Sequence, residues 1–313
     1  MARISIISPA YNEEASIPKL LIALDQLVER NPNEDFQVVI VENGSTDGSL
    51  DLLRSAVEER QWLRVLRLTR NFDIEGAMLA GLDSINGDCC IFLNADLEDP
   101  PEMVDAFIRE WHRGALHVVG LVQSRPSYSR TRRFLTRIFY SLASRVTGGV
   151  IARDISDFRL LDRLLYMELR KMREYNRLNR GLIGYVGGPV LSLPYQRKPR
   201  AGGASTFKVW GAIKWGLRQM MGFTVAPLRV ITLLGTACCL VSIFGIGFYS
   251  LRAVTIGVPF PGFGSLVVVI LAIGGLQFIA LGVIAEYLAV SFLEIKQRPR
   301  YIIQESFTSQ PMK

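Results

Sequence analysis

Asn94, Asp96, Glu98 and Asp99 follow directly on the apolar run Cys89 to Leu93. Acidic side chains two apart at a strand end can set their oxygens around one Mg2+ or Mn2+ ion. An ion held in that way bridges a diphosphate and stabilises charge that develops on a leaving group. Most acidic turns are solvated loops, so the weight falls on what accompanies this one. Three further polar clusters follow apolar runs in the same manner: Pro9 to Glu14, Glu42 to Ser49, and Thr69 to Phe72.

Those apolar runs have the length and make-up of strands. Ile4 to Ile7, Phe36 to Val41, Leu63 to Leu68 and Cys89 to Leu93 alternate with helical patterns. The helices are read at Leu20, Leu21, Leu24 and Leu27, at Ser49 to Glu59, and in the stretch ending at Leu82. Strands and helices in alternation predict an α/β fold with a mostly parallel, doubly wound sheet. Such sheets bind ligands beyond the carboxyl ends of their strands. Each polar cluster falls at that end, so the four are expected to line one site. Arg3 ahead of Ile4 to Ile7 reads as the opening of a strand, not as a secretory leader.

The 313 residues carry 36 Lys and Arg against 29 Asp and Glu, a net charge of +7, and 49% of them are hydrophobic. Positive excess favours an anionic partner, and here the apolar segments select a membrane surface over nucleic acid. Val230 to Leu251 and Gly262 to Ala285 contain no charge. Each is long enough to cross a bilayer core of roughly 30 Å. Lys208, Lys214, Arg218 and Arg229 precede the first, and Lys296, Arg298 and Arg300 follow the second. By the positive-inside rule both termini and the catalytic part face the cytoplasm.

Between Phe207 and Phe223, Trp210, Ile213 and Leu217 alternate with Lys208, Lys214 and Arg218, the pattern of a helix lying in the membrane interface. The expected plan is a catalytic domain at 1–206, this juxtamembrane region at 207–229, a two-helix anchor at 230–290 and a basic tail at 291–313. Arginines at 125, 130, 132, 133, 137, 145, 153, 159 and 163 precede the anchor and suit a phosphate partner. Cys89-Cys90 and Cys238-Cys239 are adjacent pairs, which excludes zinc-finger spacing and reads as buried thiols. Two histidines, His112 and His117, do not make a histidine metal site.

Pro9-Ala10-Tyr11-Asn12-Glu13-Glu14, Glu42-Asn43-Gly44-Ser45-Thr46-Asp47-Gly48-Ser49 and Asn94-Ala95-Asp96-Leu97-Glu98-Asp99-Pro100-Pro101-Glu102 together resemble the inverting family 2 glycosyltransferases. Those adopt the type A nucleotide-sugar-binding fold. Leu68-Thr69-Arg70-Asn71-Phe72, Asp157-Phe158-Arg159-Leu160-Leu161-Asp162-Arg163, Arg200-Ala201-Gly202-Gly203-Ala204-Ser205 and the tail Glu294 to Tyr301 narrow the likeness. They look like the polyprenyl-phosphate hexose transferases, which include dolichyl-phosphate mannose synthases and bactoprenol glucosyltransferases. The two-span anchor resembles the bactoprenol branch.

The resemblance implies transfer of a sugar, with UDP-glucose the default donor, onto undecaprenyl phosphate with inversion. It implies that Pro9, Tyr11, Asn12, Glu13, Glu42, Asn43, Ser45, Arg70 and Asn94 bind the nucleotide-sugar. Asp96, with Glu98 beside it, would hold Mg2+ or Mn2+. Asp157 would face the acceptor as base or orienting carboxylate, and Arg133, Arg153, Arg159, Arg200 and Ser205 would surround the acceptor phosphate. A lipid phosphate is already ionised near neutral pH, so an obligatory base is less needed than a cation ligand. A homo-oligomer, with the tail after Glu294 pairing between protomers, is implied by the same likeness.

The chain also departs from the pattern. Asn94 stands where the family's metal motif opens with Asp, Glu98 where Gln is usual, and Asn43 where a second Asp is common. Asn94 leaves open a catalytically inactive scaffold that binds a nucleotide-sugar at the membrane. A processive polysaccharide synthase needs more spans and a Gln-x-x-Arg-Trp motif, which the sequence does not contain.

Overall fold

The computed structural model describes residues 1–123, 155–175, 179–197 and 263–309, with isolated positions between 228 and 255. Two compact units are distinguished, Met1–Gly211 with Arg298–Lys313, and Ala212–Gln297.

The first unit is an eight-stranded sheet with helices on both faces. In chain order its elements are β1 (Arg3–Ala10), α1 (Ile17–Arg30), β2 (Asp35–Glu42), α2 (Ser49–Glu59), β3 (Leu63–Leu68), α3 (Asp73–Asp83) and β4 (Cys89–Phe92). A short 3-10 turn at Pro101–Met103 leads into α4 (Val104–His112). Then come β5 (His117–Val122), β6 (Ile155–Asp162), α5 (Arg163–Lys171), α6 (Asn179–Val186), β7 (Val190–Tyr195) and, near the C-terminus, β8 (Ile303–Thr308). The strand order is β7-β5-β6-β4-β1-β2-β3-β8. Only β6 and β8 run against the other strands. The expected α/β fold with a mostly parallel sheet is therefore what the chain adopts.

The central strands explain themselves. Ile4, Ile6 and Ile7 of β1 and Val38 to Val41 of β2 are fully buried, as strands covered on both faces must be. On one face, α1 lays Ile17, Leu20, Leu21, Leu24 and Leu27 into a core shared with Leu53, Phe107 and Phe158. That spacing is one stripe of a 3.6-residue helix, and Pro18 in its first turn is well placed because the first helical N–H groups have no partner within the helix. On the other face α3 lies close to β1. A Cβ at Gly81 would stand 2.4 Å from Ile7 Cγ2, so only glycine allows that approach. Asp162 caps α5 by accepting from Leu164 N at 2.9 Å.

The C-terminal segment is not a free tail. Residues 303–308, within the stretch expected to be a basic tail, form β8 and pair antiparallel with β3 of the same chain, from Arg64 with Thr308 to Leu68 with Ile303. Arg54 and Arg67 reach Glu305, Phe307 packs on the core, and Tyr301 Oη donates to Asp83 at 2.6 Å. Four of the six residues Ile303-Gln304-Glu305-Ser306-Phe307-Thr308 are polar and the segment forms an edge strand, which leaves little apolar pattern to read.

In the second unit α7 (Phe263–Ile295) is a helix of 33 residues. Its segment Ile273–Ile295 has a mean hydropathy of 1.9 and buries none of its most apolar window within the chain. The charge-free run ends at Ala285, but the helix continues past it through Glu286, since one carboxylate does not stop a helix. The expected span 230–251 and the juxtamembrane region 207–229 lie outside the described residues, apart from isolated helical positions such as 233–237.

Candidate active site

The carboxyl ends of β1, β2, β3 and β4 lie at one edge of the sheet, because these four strands are parallel and adjacent. The loop after β1 and the loop after β2 are stitched together there. Asn12 sits at φ 53°, in the left-handed region that Asn tolerates better than most residues. Its N–H donates to Ser45 Oγ at 3.0 Å and its Oδ1 accepts from Thr46 N at 2.8 Å. Glu13 is buried and accepts from Ser16 Oγ at 2.9 Å. Glu42, also buried, accepts from Ser45 N. Tyr11 is 42% exposed, so its ring is available to a ligand, and Pro9 is half-buried beneath it in the chain.

The loop after β3 is held by Asn43. This residue is buried, accepts from Phe72 N at 2.9 Å, and donates to Asn71 Oδ1 at 3.3 Å and to the Asp73 carbonyl at 3.1 Å. Both ends of its amide are thus engaged by the protein itself. The departure from Asp at this position serves the loop, since a carboxylate could not donate those two bonds. Gly44 follows at φ 70°, with its Cα so close to Arg70 that a Cβ would meet the Arg70 carbonyl carbon at 2.5 Å. Arg70 is exposed and lies over the Phe72 ring at 4.0 Å.

The acidic turn after β4 is the most polarised part of this edge. Asp96 is half-buried and accepts from Glu98 N at 3.2 Å. Burial pushes its carboxyl up to about 6, the neighbouring Glu98 and Asp99 add to the rise, and the Glu98 N–H and Arg197 oppose it. Asn94 Oδ1 is buried without a hydrogen-bond partner. Leu97 adopts φ 57°, a conformation costly for a leucine, and its side chain packs against the core. An orphaned carbonyl oxygen and a carboxylate held short of counter-charge are hard oxygen donors that fit Mg2+ or Mn2+. Among the described residues no three His, Cys, Asp or Glu side chains converge as a complete metal cage. A cation here would need further oxygens, such as those of a diphosphate.

The partners of Asp99 are the part of the site that sequence reasoning missed. Asp99 is fully buried, and Tyr195 Oη donates to it. Arg197 Nε and one terminal nitrogen reach its two oxygens at 3.1 and 3.3 Å, and Ser156 Oγ lies at 3.5 Å. The other terminal nitrogen of Arg197 lies 3.2 Å from Glu98 Oε2. A buried carboxylate needs such compensation, yet its partners come from β6, from the last residue of β7 and from just beyond it, far along the chain. The only local signal is the pair Tyr195 and Arg197 closing an apolar strand.

Asp157 lies near the start of β6 at the same edge. Arg159, expected at the acceptor phosphate, is instead 3% exposed, opposite Phe92 and Val119, and donates to the Ser156 carbonyl at 2.6 Å. Its register buries it within the sheet. His117 on the neighbouring strand is lowered to about 4 by burial and by the charge of Arg159, so it is neutral. Cys89 and Cys90 are free and buried, with their thiols raised by burial, as expected. Arg133, Arg153, Arg200 and Ser205 lie outside the described residues.

Comparison with known proteins agrees with this geometry. Residues 5–170 match Glycosyl transferase family 2. The SfII prophage-derived bactoprenol glucosyl transferase of Shigella flexneri is 32% identical over 309 residues, 99% of this chain and 100% of that protein. An uncharacterized glycosyltransferase of Synechocystis sp. is 33% identical over 303 residues, 96% of this chain and 95% of its own. Among solved structures, mannosyl-3-phosphoglycerate synthase from Rubrobacter xylanophilus shares the fold, with a TM-score of 0.52 over 73% of this chain and 74% of that one at 15% identity. With its polar loops and acidic turn gathered at one edge of a mostly parallel sheet, the chain belongs to glycosyl transferase family 2.

Proposed function

We propose that the protein transfers a sugar from a nucleotide-sugar, UDP-glucose in the first instance, to a polyprenyl phosphate, with inversion. One observation carries the reading: the acidic turn and the loops beside it stand together in a chain that aligns end to end with a bactoprenol glucosyl transferase. A phosphate oxygen of the lipid attacks the anomeric carbon while the bond to the diphosphate oxygen breaks and the nucleoside diphosphate leaves. A single displacement of this kind inverts the centre.

Pro9, Tyr11, Asn12, Ser45 and Arg70 form the rim that takes the nucleotide, the buried Glu13 and Glu42 brace its loops from below, and Asn43 acts on it through the loop at Asn71. Asp96 and the Asn94 carbonyl oxygen are assigned to Mg2+ or Mn2+. A bound cation supplies charge neutralisation at the diphosphate. Asp157 orients the acceptor, whose ionised phosphate needs little deprotonation. Arg133, Arg153, Arg200 and Ser205 hold that phosphate, because guanidinium groups can keep two anions close by bidentate contacts.

The fold supports a membrane setting. β3 and β8 share one sheet, so a chain whose α7 crosses a bilayer crosses it an even number of times between them. The uncharged run Val230 to Leu251 supplies the second crossing, and the basic flanks put both termini on the cytoplasmic side.

The test is transfer of radiolabelled sugar from a panel of nucleotide-sugars to undecaprenyl phosphate, with Mn2+ and with EDTA, for the parent and Asp96→Ala. Lipid-extractable label from one donor, lost with EDTA and in the variant, is expected, and NMR of the product reads the anomeric configuration. Tight donor binding without label from any donor would overturn the reading in favour of an inactive nucleotide-sugar-binding scaffold.

A further inference from the structure

Three carboxylates, Asp96, Glu98 and Asp99, crowd into four consecutive positions after β4. Like charges so close repel, and Leu97 between them is held at φ 57°. Left to itself such a turn would relax, and Asp96 would lose its direction. What restrains it arrives from the far side of the domain. Arg197 sits two residues beyond the end of β7, and its three guanidinium nitrogens are divided between two acids: two on Asp99, at 3.1 and 3.3 Å, and one on Glu98, at 3.2 Å. Tyr195 and Ser156 complete the hold on Asp99, which is fully buried.

We propose that Arg197 is a positioning residue for the acidic turn: by tying Glu98 to Asp99 it fixes the backbone that presents Asp96, and it withdraws Glu98 from cation ligation. This rests on the donor-site reading above. The fork geometry is what the task requires, since a planar guanidinium can bridge two carboxylates at set angles and an ammonium cannot. Small errors of placement at such a site are costly, so a residue that touches neither substrate nor cation can still govern binding.

The inference has a distinctive sign. Removing a positive charge from beside an acidic turn should, on electrostatics alone, tighten binding of a cation. If Arg197 positions the turn, its removal weakens binding instead. The experiment titrates Mn2+ into the full-length protein in detergent with UDP present, reading free Mn2+ by EPR, for the parent, Arg197→Gln and Arg197→Lys. Arg197→Gln is expected to bind Mn2+ at least tenfold more weakly, and Arg197→Lys, able to reach one acid but not both, to recover only part of the loss.

Equal or tighter binding in Arg197→Gln overturns the inference while the donor-site reading stands. No Mn2+ binding by the parent overturns that reading and the inference with it. Should Arg197→Gln fail to fold, Tyr195→Phe decides, since it removes one hydroxyl from Asp99 and keeps the ring. Mn2+ binding weakened a few-fold supports the inference, and unchanged binding overturns it.

Discussion

Asp96→Asn should make the cation-free protein more stable as it removes function. Burial, aided by Glu98 and Asp99, lifts the Asp96 carboxyl from an ordinary 3.8 to about 6. At about 1.4 kcal/mol per pH unit, the ionised group costs the folded state up to about 3 kcal/mol, and about 2 kcal/mol once its partial exposure is allowed for. The unfolded chain releases this proton near 3.8, whereas the folded protein keeps it to about 6. Between those values the folded state binds more protons, so stability falls as pH rises from about 4 to about 6 and stays lower above. Asparagine carries no charge to desolvate. The variant should therefore melt about 4 to 8 °C above the parent at pH 7 in EDTA, a gap that closes toward pH 4. Adding Mn2+ with UDP should raise the parent's melting temperature and leave the variant's unchanged. Tryptophan-fluorescence melts at pH 4, 5, 6 and 7 provide the comparison. A variant that melts at or below the parent at pH 7, or a gap indifferent to pH, would refute the claim that burial of an uncompensated charge sets the character of this site.

Other perturbations follow from the same geometry. Gly44→Ala should lower UDP affinity at least tenfold by calorimetry, because φ 70° and a Cβ 2.5 Å from the Arg70 carbonyl carbon force the two donor loops apart. Asn43→Asp should destabilise the protein by about 2 kcal/mol in urea melts, since two accepted bonds at Asn71 and Asp73 lose their donor, while donor preference in the transfer assay stays that of the parent. Phe307→Ala should cost about 2 kcal/mol in the same melts, from lost core packing and the Arg54 guanidinium 4.9 Å above its ring.

Much of the fold was legible because it is written locally. β3 was expected at Leu63 to Leu68 and α2 at Ser49 to Glu59, and both have those bounds. The apolar runs of β1, β2 and β4 are buried on both faces and bounded by polar clusters, so their ends announce the site. β5, β6 and β7 have no counterpart among the strands expected from the sequence. In β6 the polar Ser156, Asp157 and Arg159 interrupt the apolar pattern, and Arg159 is buried only because the folded sheet covers it. The same holds for the Asp99 cluster, whose partners are 57 to 98 residues away in sequence. Periodicity reports neighbours three or four positions apart, not a carboxylate and a guanidinium brought together by topology. Asn43 shows a different gap: its residue type was noticed, but only the contacts with Asn71, Phe72 and Asp73 reveal that the change from Asp serves the loop.

β8 also governs the order in which the molecule can be made. About 235 residues separate Leu68 from Ile303, so a ribosome needs on the order of 10 to 50 s between releasing one strand and its partner. Through that interval β3 presents an open row of backbone donors and acceptors, the kind of edge that invites pairing with other chains. The apolar helix α7 must be synthesised before the strand that closes this edge exists. Completion of the sheet thus waits on synthesis of the whole intervening segment, α7 included. A version of the domain cut before α7 would be missing an outermost strand, however complete the loops at the other end of its strands.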